Sequence, residues 1–352
     1  MGFDLELEKI DIKSLSLEQL KEEFAAMGEK AFRAKQTYEW MHQKLARSFD
    51  EMTNLSKDFR NQLENDYYIA DCVIEKKFCS KLDETVKYLF RLNDGECIES
   101  VLMKYNHGWS ICISSQVGCR MGCKFCASTI GGLKRNLTPS EMLSQIMTAQ
   151  KDMNIRISNI VMMGIGEPFD NYDNVVRFLE LVGCDKGINI GMRHISLSTC
   201  GRVDGIRKFM ELDNQLTLSI SLHAPNDKIR NAMMPINNKW NVSELISACR
   251  DYFKRTGRRI SFEYAMIKGV NDSKECADEL IKLLSGMICH VNLIPVNEVK
   301  ENDYERSERV HEFCDYLNRH GMNATVRRTL GADISASCGQ LRQKHGKIDT
   351  KL

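Results

Sequence analysis

The chain has 352 residues, and its charges nearly cancel, because 49 Lys and Arg face 48 Asp and Glu for a formal net charge of +1. Hydrophobic residues make up 43% of the chain and charged residues 28%. These proportions are typical of a folded globular protein and exclude a disordered tail, a collagen-like rod and a coiled coil. They also exclude a strongly basic nucleic-acid-binding chain, so any RNA contact must come from local patches.

Residues 1–70 are predicted to form a small helical domain. Ser16-Leu-Glu-Gln19 has the spacing of a capping box, and the helix that it starts ends near Gly28. A second helix follows from about Phe32 to Leu45, with basic and aromatic side chains interleaved. Two interpretations are open for this domain, an RNA-contacting accessory domain and a small helical core with a solvated face.

Residues 71–109 change to strand periodicity, and Asn93-Asp94-Gly95 lies between two strand-like segments, so we predict a linking β-hairpin. From residue 110 to about 345, strand-like and helix-like segments alternate. Alternation at this spacing indicates βα units and a parallel sheet. We therefore predict an α/β fold in which about six units form a partial (β/α)6 barrel.

The predicted strands of the barrel are Ser110–Ser114, Asn159–Met163, His194–Ser198, Thr217–Ser221, Ser261–Met266 and His290–Ile294. The predicted helices are Ser140–Lys151, Asn174–Leu181, Val203–Met210, Val242–Arg255 and Lys274–Leu284, followed by a last pair of elements at Ser307–Arg319 and Ala324–Arg327.

Fourteen cysteines are too few for a disulfide scaffold in a chain of this length. The N-terminus is acidic where a signal peptide is basic, and no apolar run approaches the roughly 18 residues of a membrane span. We therefore expect a cytoplasmic protein without membrane contact, whose thiols are reduced. Cysteines in that setting are core residues, metal ligands or catalysts, and their spacing decides between these roles.

Three cysteines follow the first predicted strand of the barrel. Cys119, Cys123 and Cys126 form a C-x3-C-x2-C run, and three thiolates at this spacing can hold three irons of a [4Fe–4S] cluster. No fourth cysteine follows closely, so one iron would stay open to a chelating substrate. Structural zinc is the main alternative, but zinc usually takes four ligands in two pairs, and no second pair is present. Packing as core residues is a further alternative, against which the flanking glycines argue.

Small and polar residues follow the other predicted strands. Gly166 and Glu167 follow the second strand, Ser198 the third, Ser221-Leu222-His223 the fourth and Asn297 the sixth. In a parallel barrel the carboxyl ends of the strands meet at one rim, where ligands bind. Each residue alone is compatible with a turn, a cap or a satisfied side chain. Together they predict a polar ligand site at the rim that carries the cysteines.

These motifs resemble the radical S-adenosylmethionine (SAM) enzymes, whose signature combines C-x3-C-x2-C with Gly-Glu-Pro after the second barrel strand. The flanking sequence is similar to a narrower group, the dual-specificity 23S rRNA and tRNA adenine-C2 methyltransferases of the RlmN family. The similar segments lie within about residues 75–342 and are Ser115–Cys119, Lys124–Ala127, Met163–Pro168, Ser219–Asn226, Lys268–Ser273, Val291–Pro295 and Cys338–Leu341.

The resemblance implies two cofactors. Cys119, Cys123 and Cys126 would hold a [4Fe–4S] cluster, and SAM would chelate the open iron through its amino and carboxyl groups. The strand-end residues named above would line the SAM site.

The resemblance also implies a ping-pong transfer through a protein thiol, since C2 of adenine is too electron-poor to attack the SAM methyl group. Cys338 matches the cysteine that accepts the methyl group, in a segment of small residues suited to a mobile loop. One electron from the cluster would cleave a second SAM, and the 5′-deoxyadenosyl radical would take a hydrogen from the S-methyl group. The carbon radical would add to C2, and Cys112 would attack the Cys338 sulfur to release the product and leave a disulfide.

Glu99 matches the carboxylate that takes the C2 proton. Without the resemblance, Cys112 is typical of a core residue on a strand, and Glu99 of an exposed strand residue. The nine cysteines outside the triplet and the Cys112–Cys338 pair are predicted to be packing residues.

The implied substrates are adenosine 2503 of 23S rRNA, in the peptidyl transferase centre, and adenosine 37 of some tRNAs, each splayed out of its stack. A one-electron donor of the flavodoxin or ferredoxin type is implied as a partner, and a monomer is expected. Candidate phosphate contacts, each of which could instead be a solvated face, are Lys134-Arg135, Arg258-Arg259, Arg327-Arg328 and Arg342–His345.

Three other functions stay open at this point. A C8-specific sister enzyme that confers ribosomal antibiotic resistance has the same machinery, and only Val117 and Pro168 favour the C2 type. A non-enzymatic RNA-binding protein with a structural cluster or zinc would not cleave SAM. A radical SAM enzyme for a small substrate would have no need of the paired Cys112 and Cys338.

Overall fold

The computed structural model describes residues 9–212, 214–297 and 303–341. Its central element is a ten-stranded mixed sheet whose strands lie side by side in chain order. The strands are β1 (Cys72–Cys79), β2 (Val86–Leu92), β3 (Cys97–Tyr105), β4 (Gly108–Cys112), β5 (Ile157–Met162), β6 (Ile195–Thr199), β7 (Thr217–Ser221), β8 (Ile260–Met266), β9 (Cys289–Pro295) and β10 (Ala324–Val326). Strands β1 to β4 pair antiparallel, and β4 to β10 pair parallel.

One or two helices connect each neighbouring pair of parallel strands, which confirms the predicted α/β fold of six βα units. The helices are α1 (Leu17–Ala26), α2 (Ala31–His42), α3 (Lys57–Asp66), α4 (Pro139–Met153), α5 (Tyr172–Gly183), α6 (Val203–Phe209), α7 (Asp227–Met233), α8 (Val242–Thr256), α9 (Lys274–Leu284) and α10 (Val310–Arg319). Within the described residues, none of these helices is long and apolar enough to cross a bilayer.

The helix starts follow from local sequence. Helix α1 begins with the capping box of Ser16 and Gln19, as predicted. Helix α4 begins with a second box, in which the Thr138 hydroxyl accepts from the Glu141 amide and the Glu141 carboxylate accepts from the Thr138 amide. These side chains satisfy amide groups that have no partner within the helix, so they define where each helix starts.

The N-terminal helices pack against α4 of the barrel. The Lys13 amine is buried and donates to the Ser144 hydroxyl at 2.6 Å, and the Arg47 guanidinium donates to the Thr148 hydroxyl at 3.1 Å. Helix α3 was absent from the sequence-based prediction. Its buried residues are only Phe59 and Leu63, one turn apart, which is too short a stripe to stand out in the sequence.

The predicted hairpin corresponds to β2 and β3, with Gly95 in its turn at φ +86°. The prediction missed β1, which pairs with β2 and makes this region three-stranded. Strand β1 carries Glu75, Lys76 and Lys77 and lies at the edge of the sheet, so its residues lack the continuous apolar pattern of a buried strand. Strand β3 also pairs with β4, so the hairpin continues the barrel sheet.

Candidate active site

The carboxyl ends of the parallel strands surround a cavity of about 150 Å³. Residues from the cysteine loop, from the ends of the five strands β5 to β9 and from the C-terminal segment meet there. The predicted site residues that line this cavity are Cys119, Cys123, Cys126, Gly166, Glu167, Ser198, Ser221, His223, Asn297 and Cys338. Leu222 does not line it, because its side chain packs in the main apolar core and is fully buried there.

The cysteine loop follows a short strand, Gln116–Gly118, that pairs antiparallel with Leu133–Asn136. Gly122 adopts φ +71°, and the Cys126 amide donates to the Cys123 carbonyl at 3.1 Å, so the loop turns sharply. Cys119 and Cys123 are buried, and Cys126 is half-buried. The three cysteines therefore all line the cavity, two of them buried and one half-buried.

The chemistry of these thiols fits a metal cluster. Burial raises the pKa of each of the three, and Cys126 raises the pKa of Cys119 and Cys123 further. Without a metal the thiols keep their protons near neutral pH, and a bound metal stabilises the thiolates instead. In the part of the chain that the structure describes, no three His, Cys, Asp or Glu side chains converge on a position for a single metal ion. Three separated thiols around one cavity fit a multinuclear cluster better than a zinc ion.

Glu167 joins the ends of two strands. Its carboxylate is buried and accepts hydrogen bonds from the Cys200 amide at 2.7 Å and the Phe169 amide at 3.0 Å. Burial raises the pKa of Glu167, while these amides lower it. The preceding Gly166 has φ +109°, and a Cβ atom there would lie 2.6 Å from the Cβ of Gln116. Only glycine fits, so the backbone at this position is exposed to a ligand.

The rim of β7 is held by hydrogen bonds to β8. His223 adopts φ +57°, and its Nδ1 accepts from the Ala265 amide at 2.9 Å. Burial, with a smaller contribution from Arg230, lowers the pKa of His223 to about 3, so the imidazole is neutral. Ser198 and Ser221 face each other across neighbouring strands, with their hydroxyls 3.5 Å apart. The rim thus offers uncharged hydrogen-bonding groups around the cavity.

A second, smaller chamber of about 40 Å³ adjoins the first. Cys112, Cys338, Arg327, Met103 and Tyr105 are among its lining residues. Cys112 is buried, and burial with the neighbouring Cys338 raises its pKa to about 12 while Arg327 lowers it. Cys338 lines both chambers. The structure therefore brings together the two cysteines that the sequence analysis paired.

Glu99 lies on β3 and lines neither chamber. It is buried rather than exposed, at 1% of its accessible surface, and its carboxylate is 3.7 Å from the Lys87 amine. The Lys87 amine also donates to the Ser335 carbonyl at 3.2 Å, in the loop that carries Cys338. Lys87 therefore connects the predicted base with the predicted methyl carrier.

Residues 331–341 form the loop of Cys338, which the structure anchors at several points. The Asn297 amide group donates to the Cys338 carbonyl at 3.1 Å, and the Gly339 carbonyl accepts from the Ala127 amide at 2.7 Å. At the outer end, the Asp333 carboxylate accepts from the Ser80 hydroxyl and the Lys81 amide, both at 2.7 Å. The loop is therefore docked on both the cysteine loop and the turn between β1 and β2.

The structure places the candidate phosphate contacts in different environments. Arg135 is paired with Asp94 and Glu141. Arg327 lines both chambers instead of the surface. Arg259 and Arg328 are exposed, so they keep the predicted role open. The Lys134 amine lies 3.9 Å from the Glu96 carboxylate, and the Arg258 guanidinium donates to the Gln215 carbonyl at 2.6 Å. The last candidates, Arg342–His345, lie outside the described residues.

Sequence reasoning missed two charged residues in or beside the site. Glu263 accepts from the Asn292 amide group at 2.7 Å and lies 3.8 Å from Arg327. Its position in the otherwise apolar run of β8 was an available signal. Arg230 is fully buried beside the strand ends, and its sequence context gave no such signal.

Two parts of the chain match known families. Residues 10–69 match the ribosomal RNA large subunit methyltransferase N-terminal domain, and residues 113–284 match the radical SAM superfamily. A crystal structure of a radical SAM methyltransferase from Sphaerobacter thermophilus superposes with a TM-score of 0.90 at 42% identity, covering 94% of this chain and 99% of that one.

Curated relatives match over nearly the whole length. A probable dual-specificity RNA methyltransferase RlmN from Clostridium novyi is 52% identical, over 95% of this chain and 98% of its own. A protein of the same description from Lachnospira eligens is 55% identical, over 95% of this chain and 96% of its own. The sequence identity to these relatives and the superposition with the crystal structure indicate the same family. The chain therefore belongs to the RlmN family of the radical SAM superfamily.

Proposed function

We propose that the protein is a radical SAM methyltransferase that methylates C2 of an adenosine in 23S rRNA and in tRNA, through S-methylation of Cys338. The observation that carries this proposal is the position of Cys338 between the two chambers. A thiol at this junction can take a methyl group from a ligand in the larger chamber and be attacked by Cys112 in the smaller one. The relatives' description as dual-specificity RNA methyltransferases supports the substrate class.

The larger chamber would hold both cofactors. Cys119, Cys123 and Cys126 would bind the [4Fe–4S] cluster, and SAM would lie against the strand ends. The cluster and SAM together supply one-electron chemistry and the methyl group when they are bound. The residues assigned to the SAM site are Gly166, Glu167, Ser198, Ser221, His223 and Asn297.

The residues of the smaller chamber would carry the methyl group and release the product. The Cys338 sulfur is the nucleophile toward the SAM methyl group, because a thiolate attacks where C2 of adenine does not. The Arg327 guanidinium lies beside both thiols and can stabilise a thiolate on either one. Glu99 would take the C2 proton, and the Cys112 sulfur would attack the Cys338 sulfur, so that the protein sulfurs end as a disulfide and the product leaves.

The partners follow from this chemistry. RNA is the substrate, and a flavodoxin or ferredoxin would supply single electrons to a monomer in the cytoplasm. We assign RNA contacts to the accessory domain of residues 1–70 and to the exposed Arg259 and Arg328. The linker of residues 71–109 would then connect this domain to the catalytic region of residues 110–345.

Nucleoside analysis tests the proposal. The anaerobically reconstituted protein is incubated with SAM, a reductant and an unmodified 23S rRNA fragment, and the digested RNA is analysed by mass spectrometry against authentic standards. The proposal predicts 2-methyladenosine. A product of 8-methyladenosine would instead assign the C8 reaction, and SAM cleavage without any methylated adenosine would contradict the RNA substrate.

A further inference from the structure

Arg230 is a buried cation that no carboxylate neutralises by a hydrogen bond within the described residues. It lies on α7 and has no accessible surface. Its guanidinium donates to the carbonyls of Leu222 at 3.1 Å, Cys200 at 2.7 Å and Ser221 at 3.2 Å, and to the amide oxygen of Asn237 at 2.8 Å. All four acceptors are uncharged. A buried charge without a directly hydrogen-bonded carboxylate is costly to a fold, and a further negative charge nearby would stabilise it.

The cysteine loop is the direction from which that negative charge would come. Helix α7 contacts this loop, because the Lys124 amide donates to the Met233 carbonyl at 2.9 Å. Cys123 and Cys200 pack in one cluster with Met233 and Met234 at the end of the same helix. Burial lowers the pKa of Arg230, while the nearby Cys200 and Cys123 thiols and, less strongly, the Asp227 carboxylate raise it.

Two arginines near the loop are already paired with carboxylates. Arg120 donates to the Asp170 carboxylate at 2.6 Å. Arg202 pairs with the same carboxylate and with Asp204. Carboxylates therefore balance these two arginines, whereas Arg230 has no carboxylate among its hydrogen-bond acceptors.

We propose that Arg230 is the counter-charge of the iron–sulfur cluster and raises its reduction potential, while it holds the ends of β6 and β7 in place. This inference rests on the proposed function, since it requires a cluster at the triplet. Adding an electron to the cluster adds a negative charge, and a fixed cation close by favours the reduced form. Net charge and hydrogen bonding near a cluster are known to set its potential. Arg230 is thus a positioning residue, without contact to the reacting atoms.

Two kinds of variant separate charge from packing. Arg230→Met removes the charge and keeps much of the volume, and Arg230→Lys keeps the charge. If Arg230→Met does not fold, the double variant Asp227→Asn/Asn237→Asp is used instead. In this variant a carboxylate at position 237 replaces the amide oxygen that accepts from the Arg230 guanidinium. The Asn237 amide group donates to Asp227 at 2.8 Å, so this exchange can preserve the hydrogen bonds. Arg250→Met is the matched control, because Arg250 also donates to two backbone carbonyls, those of Ser285 and Leu283, at the other end of the barrel.

The test is a redox titration of each reconstituted protein, followed by electron paramagnetic resonance without SAM or RNA. We expect Arg230→Met to reduce the equilibrium constant for one-electron reduction at least tenfold, or about 59 mV. The double variant should also lower this equilibrium constant, whereas the constants of Arg230→Lys and Arg250→Met should stay near that of the wild type. Unchanged potentials in both charge-altering proteins would overturn the inference. Iron and sulfide analysis of the wild type comes first, and absence of a cluster there would contradict the proposed function instead.

Discussion

The two sides of the active-site cavity are held in different ways. On the side of the strand ends, buried groups hold the backbone: the Glu167 carboxylate, the His223 imidazole and the Arg230 guanidinium each bond to backbone of a neighbouring segment. On the side of Cys338, the outer anchor of the loop is the exposed Asp333. Buried bonds persist, whereas exposed ones exchange with water. The cofactor side is thus held by buried bonds, whereas the outer end of the Cys338 loop is held by exposed ones.

This difference suits the two tasks of the proposed reaction. A cofactor has to be held in one geometry, while the methyl-carrying thiol has to serve a cofactor, a base and a second thiol in turn. The following variants of the thiol side should therefore change the RNA reaction and leave cluster content and SAM binding unchanged.

Replacing the methyl carrier should have the largest effect. Cys338→Ala removes the nucleophile, so we expect RNA methylation to fall by at least about 1,000-fold. Liquid chromatography of the nucleosides gives the rate, and iron content gives the state of the cluster. Cys79→Ala, at an exposed cysteine away from the cavity, is the control that should keep full activity. Methylation by the Cys338 variant would disprove the carrier role.

Replacing the resolving thiol should trap the reaction at a later stage. In Cys112→Ala, methyl transfer to Cys338 can proceed, but nothing attacks the Cys338 sulfur, so the protein should stay bonded to RNA. A band of higher mass on a denaturing gel, sensitive to ribonuclease, measures this adduct. Cys249→Ala is a matched buried cysteine on α8 that should form no adduct. Normal turnover without adduct in Cys112→Ala would show that another group releases the product.

The two neighbouring arginines, Arg327 and Arg328, should separate chemistry from RNA binding. Arg327 lies beside the thiols, so Arg327→Met should lower the single-turnover rate by roughly 100-fold with little change in RNA affinity. Arg328 is exposed, so Arg328→Met should weaken RNA binding and reduce its salt dependence while the single-turnover rate is preserved. Filter binding and rapid quench measure the two quantities. The reverse pattern would place Arg327 on the RNA surface, as the sequence first indicated.

Loosening the outer anchor of the loop should have the smallest effect. Asp333→Ala removes the acceptor of the Ser80 and Lys81 bonds, and we expect a rate of RNA methylation about threefold to tenfold lower. SAM affinity, measured by equilibrium dialysis, should not change. A SAM affinity that falls by the same factor as the methylation rate would mean that the loop and the strand ends behave as one rigid body.

The sequence predicted those parts of the fold that depend on local pattern. The predicted bounds Thr217–Ser221 and Lys274–Leu284 coincide with β7 and α9, because both segments bury a regular apolar pattern between clear capping or turn residues. Edge strand β1 and helix α3 were missed, since each buries only a narrow stripe. A residue pattern predicts a helix or a strand only where one whole face of that element is buried.

The residues of the site also divide into those that the sequence pattern predicts and those that it does not. The triplet and the strand-end residues could be predicted because spacing and barrel geometry place them at one rim. Leu222 was assigned to the cavity, but the alternation of side chains along the chain turns it into the core. The positions of Arg230 and Arg327 could not be predicted, because burial of a charged side chain depends on partners distant in sequence, whereas Glu263 in the mostly apolar β8 was an available signal.

Isotope labelling tests the central claim most directly. The protein is first incubated with SAM that carries a CD3 methyl group, freed of unbound SAM, and then given unlabelled SAM, a reductant and RNA for a single turnover. If Cys338 carries the methyl group, the first methyladenosine released contains the deuterated carbon. An unlabelled methyl group in that first product, from protein whose intact mass shows labelled Cys338, would contradict transfer through the thiol.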